Sequence, residues 1–206
     1  MIFYRMINKQ KYTAGLDEAG RGCLAGPVVA SAVIWPDNYM LEGLTDSKKL
    51  NEKKRDLLRK NLEDCIPPGN WAVGISTPKE IDEINILQAT FLAMHRAIEK
   101  LTVKPHLLLI DGNRFKPYLD IPYRCEIKGD ARFQAISAAS IFAKTYRDQL
   151  MKEAHEKNPD YGWNMNKGYP SANHKEALAT YGMTSIHRKT FKWKTSQVKI
   201  NFPDNG

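Results

Sequence analysis

The fold is decided by residues 13–36, which read TAGLDEAGRGCLAGPVVASAVIWP. Residues 12–19 and 26–36 predict two β-strands, because both are apolar and the second is rich in valine and bounded by proline. Gly20-Arg21-Gly22 lies between them and predicts a hairpin-like turn. The dipeptide Asp17-Glu18 therefore stands at the end of the first strand, directly before a glycine-rich turn.

Strand and helix patterns alternate along the rest of the chain. Strands are predicted over residues 70–76, 106–110 and 122–128, and helices over residues 51–63, from Thr77, from Asp130 and over residues 171–181. The alternation predicts an α/β fold with a sheet core and a helical C-terminal extension. The length of 206 residues indicates one domain, with a core over residues 1–150 and a helical segment over residues 151–206 packed on it.

Two of these helices carry more detailed signals. Thr77, Pro78 and Glu80 fit a capping box with proline at the first helical position. Apolar residues at helical spacing then indicate a stripe that faces the core, namely Leu87, Phe91, Met94, Ile98 and Leu101. Asp130 is expected to open the long helix, whose inner face carries Phe133, Ile136, Ala139 and Ile141.

The composition favours a cytoplasmic protein with a polyanionic partner. Three widely spaced cysteines form no C-x-x-C pair, which argues against a zinc ribbon or a disulfide framework and fits a reducing compartment. The longest weakly polar run, residues 23–35, is shorter than the roughly 20 apolar residues that span a bilayer. The net charge of +8 favours nucleic acid, with an anionic membrane surface as the alternative.

Acidic residues lie where an apolar strand ends or a predicted helix begins. They are Asp17-Glu18, Asp111 after a short apolar strand, and Asp130. Loops converge beyond strand ends in α/β folds, so these positions from distant parts of the chain can meet at one place. A cluster of carboxylates without histidine or cysteine is a hard-oxygen site, whose natural occupants are Mg²⁺ or Mn²⁺.

Each of these acids also has an ordinary structural interpretation. Asp130 can be a helix N-cap, and Asp111, which precedes Gly112, can begin a turn. On a regular strand Asp17 and Glu18 point to opposite faces of the sheet. Both serve one site only if the backbone bends, or if one of them acts through a neighbouring group.

Five blocks of sequence follow one another in a specific order. They are GLDEAGRG with LAGPV at residues 15–28, DSKKL at residues 46–50, DGN at residues 111–113, KGD with AASI, AK and RD at residues 128–148, and HR with Phe191 at residues 187–191. One block alone is weak evidence, but the ordered set resembles the type 2 ribonucleases H, the ribonuclease HII family. The resemblance covers residues 13–193.

The resemblance implies a ribonuclease H-like mixed β-sheet flanked by helices. The family's metal-binding acids fall on Asp17, Glu18, Asp111 and Asp130, which implies that these four catalytic residues hold two divalent cations, Mg²⁺ or Mn²⁺. The implied activity is endonucleolytic hydrolysis of the RNA strand in RNA/DNA hybrids and cleavage 5′ of single ribonucleotides embedded in DNA. The expected products have 5′-phosphate and 3′-hydroxyl ends.

The same resemblance implies which residues contact nucleic acid. The turn that contacts the ribose 2′-hydroxyl falls on Gly20, Arg21 and Gly22, and the junction-sensing tyrosine falls on Tyr169. Phosphate contacts fall on Ser47, Lys48, Ser140 and Lys144. The alternatives are a packed loop tyrosine at Tyr169, ordinary solvated charges at the lysines, and a helix-surface ion pair between Arg147 and Asp148.

The C-terminal tail carries one further pattern. Residues 197–202, QVKINF, resemble a short peptide that docks in the groove of a bacterial sliding clamp, and a disordered tail is the alternative. The absence of a coiled-coil pattern favours a monomer. Two other functions remain open: another nuclease or integrase of the same fold, and a non-catalytic basic domain that binds nucleic acid.

Overall fold

The computed structural model describes residues 12–36, 41, 43–44 and 50–193. Within them, five strands form one sheet in the order β3-β2-β1-β4-β5. The strands are β1 (Thr13–Ala19), β2 (Val28–Ile34), β3 (Trp71–Ser76), β4 (Leu107–Asp111) and β5 (Tyr123–Glu126). The phosphate contacts predicted at Ser47 and Lys48 and the tail peptide at residues 197–202 lie outside the described residues.

The sheet is mixed, as predicted. β1, β2 and β3 pair antiparallel, whereas β4 runs parallel to β1 and β5 parallel to β4. Leu16 of β1 pairs with Ile110 of β4, so the residues that follow these two lie next to each other. Asp17 and Asp111 are those residues, and this register is what places them side by side.

Helices cover both faces of the sheet. They are α1 (Glu52–Cys65), α2 (Pro78–Glu99), α3 (Gln134–Lys157), α4 (Trp163–Asn166) and α5 (Ala172–Tyr181), with 3₁₀ turns at Gly129–Ala131 and Pro159–Tyr161. One face of the sheet packs on α2 through Ala14, Leu16 and Ile110, among others. On the other face Val33 packs with residues of α1 and α3. Alternation along β1 therefore turns Asp17 toward α3 and Glu18 toward α2.

The long helix begins later than predicted. Asp130 lies in the 3₁₀ turn, and α3 starts at Gln134 after Phe133, whose extended backbone (φ −124°, ψ 118°) interrupts the helical path. The expectation that Asp130 opens this helix, and with it the N-cap interpretation, is wrong. Gly129 explains the turn, because a Cβ there would lie 2.5 Å from Ile136 Cδ1, so the chain folds back tightly against α3.

The predicted capping box at the start of α2 is confirmed. The Thr77 hydroxyl accepts from Glu80 N at 3.2 Å, and Glu80 accepts from Thr77 N at 2.8 Å. The sequence did not predict the break at Asn85, which has φ 65° and ψ 163°. The Asn85 side chain accepts from Leu87 N at 3.0 Å and thereby caps the second half of α2, which carries the apolar stripe.

The predicted helical C-terminal extension is confirmed. Its helices bury a separate apolar cluster that includes Trp163, Ala177 and Leu178 and packs on Leu24 and Ala25, directly after the glycine-rich turn. The extension therefore contacts the segment that follows β1. Among the described helices, none combines the length and the apolar character needed to cross a bilayer.

Candidate metal centre and nucleic-acid interface

Three aspartates meet at one edge of the sheet. Asp17 comes from β1, Asp111 from the end of β4, and Asp130 from the 3₁₀ turn. One carboxylate oxygen of each lies within 4.8 Å of those of the other two. Asp17 and Asp130 are buried, and Asp111 is half-buried. The only such group of potential metal ligands in the described part of the chain is made of these three carboxylates.

Neighbouring groups fix the orientation of two of these carboxylates. Gly129 N donates to Asp111 Oδ1 at 2.9 Å, which ties the 3₁₀ turn to the end of β4. Glu18 N donates to Asp17 Oδ1 at 2.7 Å, and Ser140 of α3 also forms a side-chain hydrogen bond with Asp17. The carboxylates are therefore held in place by the protein itself.

The electrostatics of Asp17 favour a nearby cation. Burial raises the pKa of the Asp17 carboxyl well above its usual value, and the negative charges of Glu18 and Asp111 raise it further. The Ser140 and Glu18 hydrogen bonds oppose this rise in pKa only in part. A divalent cation would relieve both the burial cost and the mutual repulsion.

Glu18 is placed differently from the other three predicted ligands. It is not a member of the 4.8 Å aspartate group, and its Oε1 accepts from Arg21 NH1 at 3.2 Å. It also lines a small cavity with Phe91 and Met94 of α2, which Asp111 borders as well. Glu18 and Asp111 therefore both border a cavity on the α2 side of the sheet.

One cleft is lined by Asp17, by Asp111 and by every predicted nucleic-acid contact within the described residues. The contacts that line it are Gly20, Arg21, Gly22, Ser140, Lys144 and Tyr169, together with Asp17, Glu18 and Asp111. A Cβ on Gly22 would meet no atom within 4 Å among the described residues. Glycine at this position is therefore not required by the packing of the protein, but it leaves room for a ligand.

The family comparison agrees with this arrangement. Residues 14–196 match the family model described as Ribonuclease HII. The chain belongs to the ribonuclease HII family. Among curated members, the protein from Bacteroides thetaiotaomicron is 54% identical over 197 residues, covering 95% of this chain and 98% of the relative. That from Parabacteroides distasonis is 57% identical over 190 residues, covering 92% and 94%.

Solved structures of the family share the ribonuclease H fold of this chain. Ribonuclease H2 from Pyrococcus horikoshii is 30% identical with a TM-score of 0.72, and the match covers 88% of this chain and 94% of that one. RNase HII from Archaeoglobus fulgidus, solved as a complex with PCNA, is 26% identical with a TM-score of 0.75, covering 91% and 98%. By family, the chain is a ribonuclease.

Two arginines that the sequence analysis did not assign to the ribonuclease HII site support its glycine-rich turn. Arg188 NH2 donates to Gly20 O at 2.6 Å and its NH1 to Arg21 O at 2.8 Å. Arg147 donates to the carbonyls of Ala25, Pro27 and Lys167 at 2.8–3.0 Å. Both guanidinium groups are buried, and they bind carbonyl oxygens along the segment that follows β1.

The interpretation of Arg147 and Asp148 as a helix-surface ion pair is wrong. Arg147 is fully buried, and Asp148 instead pairs with Lys144 at 2.6 Å and with Arg55 at 3.6 Å. No sequence pattern predicts this, because an arginine on a helix surface and an arginine that binds loop carbonyls occupy the same kind of position in a helical sequence. Lys144 is accordingly held by Asp148 and is not an ordinary solvated charge.

Tyr169 lies between the family's glycine-rich turn and α3. Its ring centroid is 5.8 Å from Lys144 Nζ and 5.9 Å from the Arg147 guanidinium carbon. Tyr169 as a whole is 41% exposed, and its hydroxyl forms a hydrogen bond with the Cys23 thiol. Burial raises the pKa of the Tyr169 hydroxyl, with a contribution from Cys23, so the phenol stays protonated at neutral pH. The side chain is thus partly packed, with one part open to the cleft.

Proposed function

We propose that the chain is an endoribonuclease that hydrolyses the RNA strand of RNA/DNA hybrids and cuts 5′ of single ribonucleotides embedded in duplex DNA. The products have 5′-phosphate and 3′-hydroxyl ends. One observation carries the proposal: oxygens of Asp17, Asp111 and Asp130 within 4.8 Å of one another, in a chain of the ribonuclease HII family.

The cofactors in this proposal are two divalent cations, Mg²⁺ or Mn²⁺. The donor set fits them, because it consists of carboxylate oxygens, two of the three aspartates are buried, and the pKa of Asp17 is raised by burial and by neighbouring acids. Asp17, Asp111 and Asp130 would hold the cations, with Glu18 on the side of α2. When bound, such ions lower the pKa of water and stabilise the leaving oxygen of a phosphodiester.

The protein's own groups supply orientation. The Ser140 hydroxyl and Glu18 N hold the Asp17 carboxylate, and Gly129 N holds that of Asp111. Preorganised ligands of this kind cost little reorganisation during the reaction. In this proposal Glu18, which shares a cavity with Asp111 on the α2 side and also lines the cleft, would orient the attacking water.

The substrate in this proposal lies across the cleft. The turn Gly20–Gly22 contacts the ribose 2′-hydroxyl and the adjacent phosphate, and Tyr169 contacts the sugar at the junction. Ser140 and Lys144 contact phosphates, and so do Ser47 and Lys48 outside the described residues. The open space at Gly22 and the exposed part of the Tyr169 ring support this placement.

One assay tests the proposed function. Labelled duplexes with one embedded ribonucleotide, with a continuous RNA strand or with DNA alone are incubated with Mg²⁺, Mn²⁺ or a chelator. We expect cleavage of the first two duplexes only, in the presence of metal, with 3′-hydroxyl ends. Asp111→Asn should abolish cleavage while hybrid binding largely survives. Cleavage of all-DNA duplex would favour another nuclease of this fold, and binding without any product would favour a non-catalytic domain.

A sliding clamp is the protein partner in this proposal. The Archaeoglobus fulgidus RNase HII structure, solved as a PCNA complex, supports the idea. We propose that residues 197–202, which lie outside the described residues, bind the clamp groove. A pull-down with the clamp should fail after deletion of residues 197–206, and undiminished capture by the truncated chain would remove the idea.

Three further expectations belong to the same proposal: a monomer, a cytoplasmic location, and one domain in which residues 151–206 pack on a core over residues 1–150. The bond from Arg147 NH1 to Lys167 O at 2.8 Å supports the last of these, since it joins α3 to the C-terminal helices. Light scattering tests the first expectation. A single unfolding transition shared by Trp71 and Trp163 fluorescence tests the last.

A further inference from the structure

Two consecutive residues, His187 and Arg188, link the two elements that the proposed function assigns to ribose recognition. The Arg188 guanidinium donates to Gly20 O at 2.6 Å and to Arg21 O at 2.8 Å, so it holds the glycine-rich turn. The His187 ring lies 3.1 Å from the His174 ring, measured between the two Nε2 atoms. Both His187 and Arg188 are 1% exposed, so neither side chain contacts substrate itself.

The backbone of this dipeptide is docked on the segment after the turn. Arg188 N donates to Leu24 O at 2.9 Å, and His187 forms an isolated bridge with Ala25. On the other side of the same segment, Leu24 N donates to Gly168 O at 2.8 Å. Leu24 therefore lies between the dipeptide and the loop that carries Tyr169.

The hydrogen-bond partners determine the tautomers of both histidines. Thr184 N can only donate, and it lies 2.8 Å from His187 Nδ1, so this nitrogen accepts and the proton of neutral His187 is on Nε2. The Trp163 indole also can only donate, and it lies 3.1 Å from His174 Nε2. His174 Nε2 therefore accepts, and the proton of neutral His174 is on Nδ1.

With these tautomers, the last donor in this series of hydrogen bonds is His174 Nδ1, and its acceptor is the carbonyl oxygen of Tyr169. His174 Nδ1 donates to Tyr169 O at 2.9 Å, where Ser171 N also donates at 2.8 Å. The Trp163 indole and the His187 Nε2 proton then share the one lone pair of His174 Nε2. The series therefore connects Thr184, through His187 and His174, to the carbonyl of Tyr169.

We propose that His174, His187 and Arg188 form a positioning clasp, which sets the separation between the turn Gly20–Gly22 and Tyr169. This separation determines how well the enzyme discriminates ribose from deoxyribose at the junction sugar that Tyr169 contacts. The inference rests on the proposed function, because the clasp affects discrimination only if the turn Gly20–Gly22 and Tyr169 contact the sugar. All three are positioning residues. A small displacement of Tyr169 is enough to weaken the contact between its ring and the junction sugar, because that contact depends on orientation.

The test uses His174, because its contribution must pass through Tyr169. His174→Leu removes the donor to Tyr169 O, whereas His174→Asn keeps an amide donor near the position of Nδ1. Each is made in the wild-type chain and in Tyr169→Ala. Leu178→Ala is the matched control, because Leu178 is buried in the apolar cluster that contains Trp163 and Ala177 and is not a member of the clasp. All variants are assayed below their unfolding temperatures.

The readout is kcat/KM for a duplex with one embedded ribonucleotide, compared with kcat/KM for a continuous hybrid. We expect His174→Leu to lower this ratio by roughly 10- to 100-fold, the scale of a small misplacement, and His174→Asn to restore part of it. In the Tyr169→Ala chain neither change should lower the ratio further. Leu178→Ala should lower the unfolding temperature and leave the ratio unchanged.

Two results would overturn the clasp alone: an equal loss of discrimination from His174→Leu in the Tyr169→Ala chain, or the same loss from Leu178→Ala. Arg188→Lys provides a second arm, because lysine keeps the charge but cannot bond both Gly20 O and Arg21 O with the geometry of guanidinium. A normal ratio for Arg188→Lys would also overturn it. A wild-type chain that cuts no ribonucleotide-containing duplex would overturn the proposed function itself.

Discussion

Gly15 lies in direct contact with the first turn of α3, so that a Cβ at position 15 would be 2.3 Å from the carbonyl carbon of Ala135. No side chain fits in that space, because the neighbour is helix backbone and not the flexible end of a side chain. This close approach lets α3 cross β1 near Asp17 and brings Ser140 within hydrogen-bond distance of the Asp17 carboxylate. The geometry around Asp17 therefore depends on Gly15, two residues earlier in β1.

Gly15→Ala should therefore reduce both stability and activity. The inserted methyl must push α3 away from β1, at a cost of about 3 kcal/mol or more in the free energy of unfolding. Urea unfolding followed by circular dichroism measures the cost. Gly22→Ala is the matched control, since a Cβ there meets no described atom within 4 Å, and it should leave stability unchanged while it lowers cleavage. A stable and active Gly15→Ala chain would contradict the argument.

The sequence allowed the placement of Asp17 and Asp111 to be predicted, because two apolar strands each end at an acid and parallel neighbours end at the same edge. It did not allow the setting of Asp130 to be predicted. That residue lies in a 3₁₀ turn because Gly129 packs on Ile136 and because Phe133 is extended, and both are tertiary effects. Arg147 shows the same limit, since the burial of this helical arginine depends on carbonyls distant in sequence.

Asp17→Asn should make the metal-free protein more stable at neutral pH while abolishing cleavage. Burial, with the charges of Glu18 and Asp111, raises the pKa of Asp17, so its ionised form opposes folding. For a raised carboxyl pKa, the stabilisation present below the ordinary value of 3.8 is lost as the pH rises. A neutral amide avoids this loss, so we expect Asp17→Asn to raise the free energy of unfolding of the metal-free protein.

Thermal unfolding with chelator and with Mg²⁺ or Mn²⁺ measures this effect. The wild-type chain should gain stability on addition of metal through mass action, and Asp17→Asn should gain less. Asp120→Asn is the control, because Asp120 lies away from the cleft and should change neither the metal-free unfolding temperature nor the shift with metal. A metal-free Asp17→Asn protein that is less stable than wild type would disprove the proposed origin of the repulsion.

Arg147→Met should strongly destabilise the fold. The guanidinium satisfies the carbonyls of Ala25, Pro27 and Lys167, and methionine would leave them buried without a donor. The expected loss is about 3–5 kcal/mol in the free energy of unfolding. Arg147→Lys should lose less, since one ammonium still serves part of the set. Arg59→Met is the control, because the partner of Arg59 among the described residues is Glu63 of the same helix, at 2.9 Å, in a pair worth about 0.5 kcal/mol or less.

The free energy of unfolding should also decrease as the pH is lowered from about 6.5 to about 4, because of the titration of His187. Burial, together with the neighbouring His174, lowers the pKa of this ring to about 4. The unfolded chain therefore takes up a proton near pH 6.5 that the folded chain refuses, so the stabilisation present above pH 6.5 is lost as the pH decreases toward 4. The slope for one proton is at most about 1.4 kcal/mol per pH unit.

His187→Asn removes the titrating ring and keeps an oxygen that can accept from Thr184 N, which donates to His187 Nδ1 at 2.8 Å. The difference in unfolding free energy between wild type and His187→Asn should therefore shrink as the pH is lowered from 6.5 to 5, a range in which most carboxylates are still ionised. His106→Asn, at an exposed histidine just before β4, is the control for the substitution itself. A constant difference across this range would mean that the His187 ring is protonated in the folded chain, which would contradict the tautomer assigned from Thr184 N.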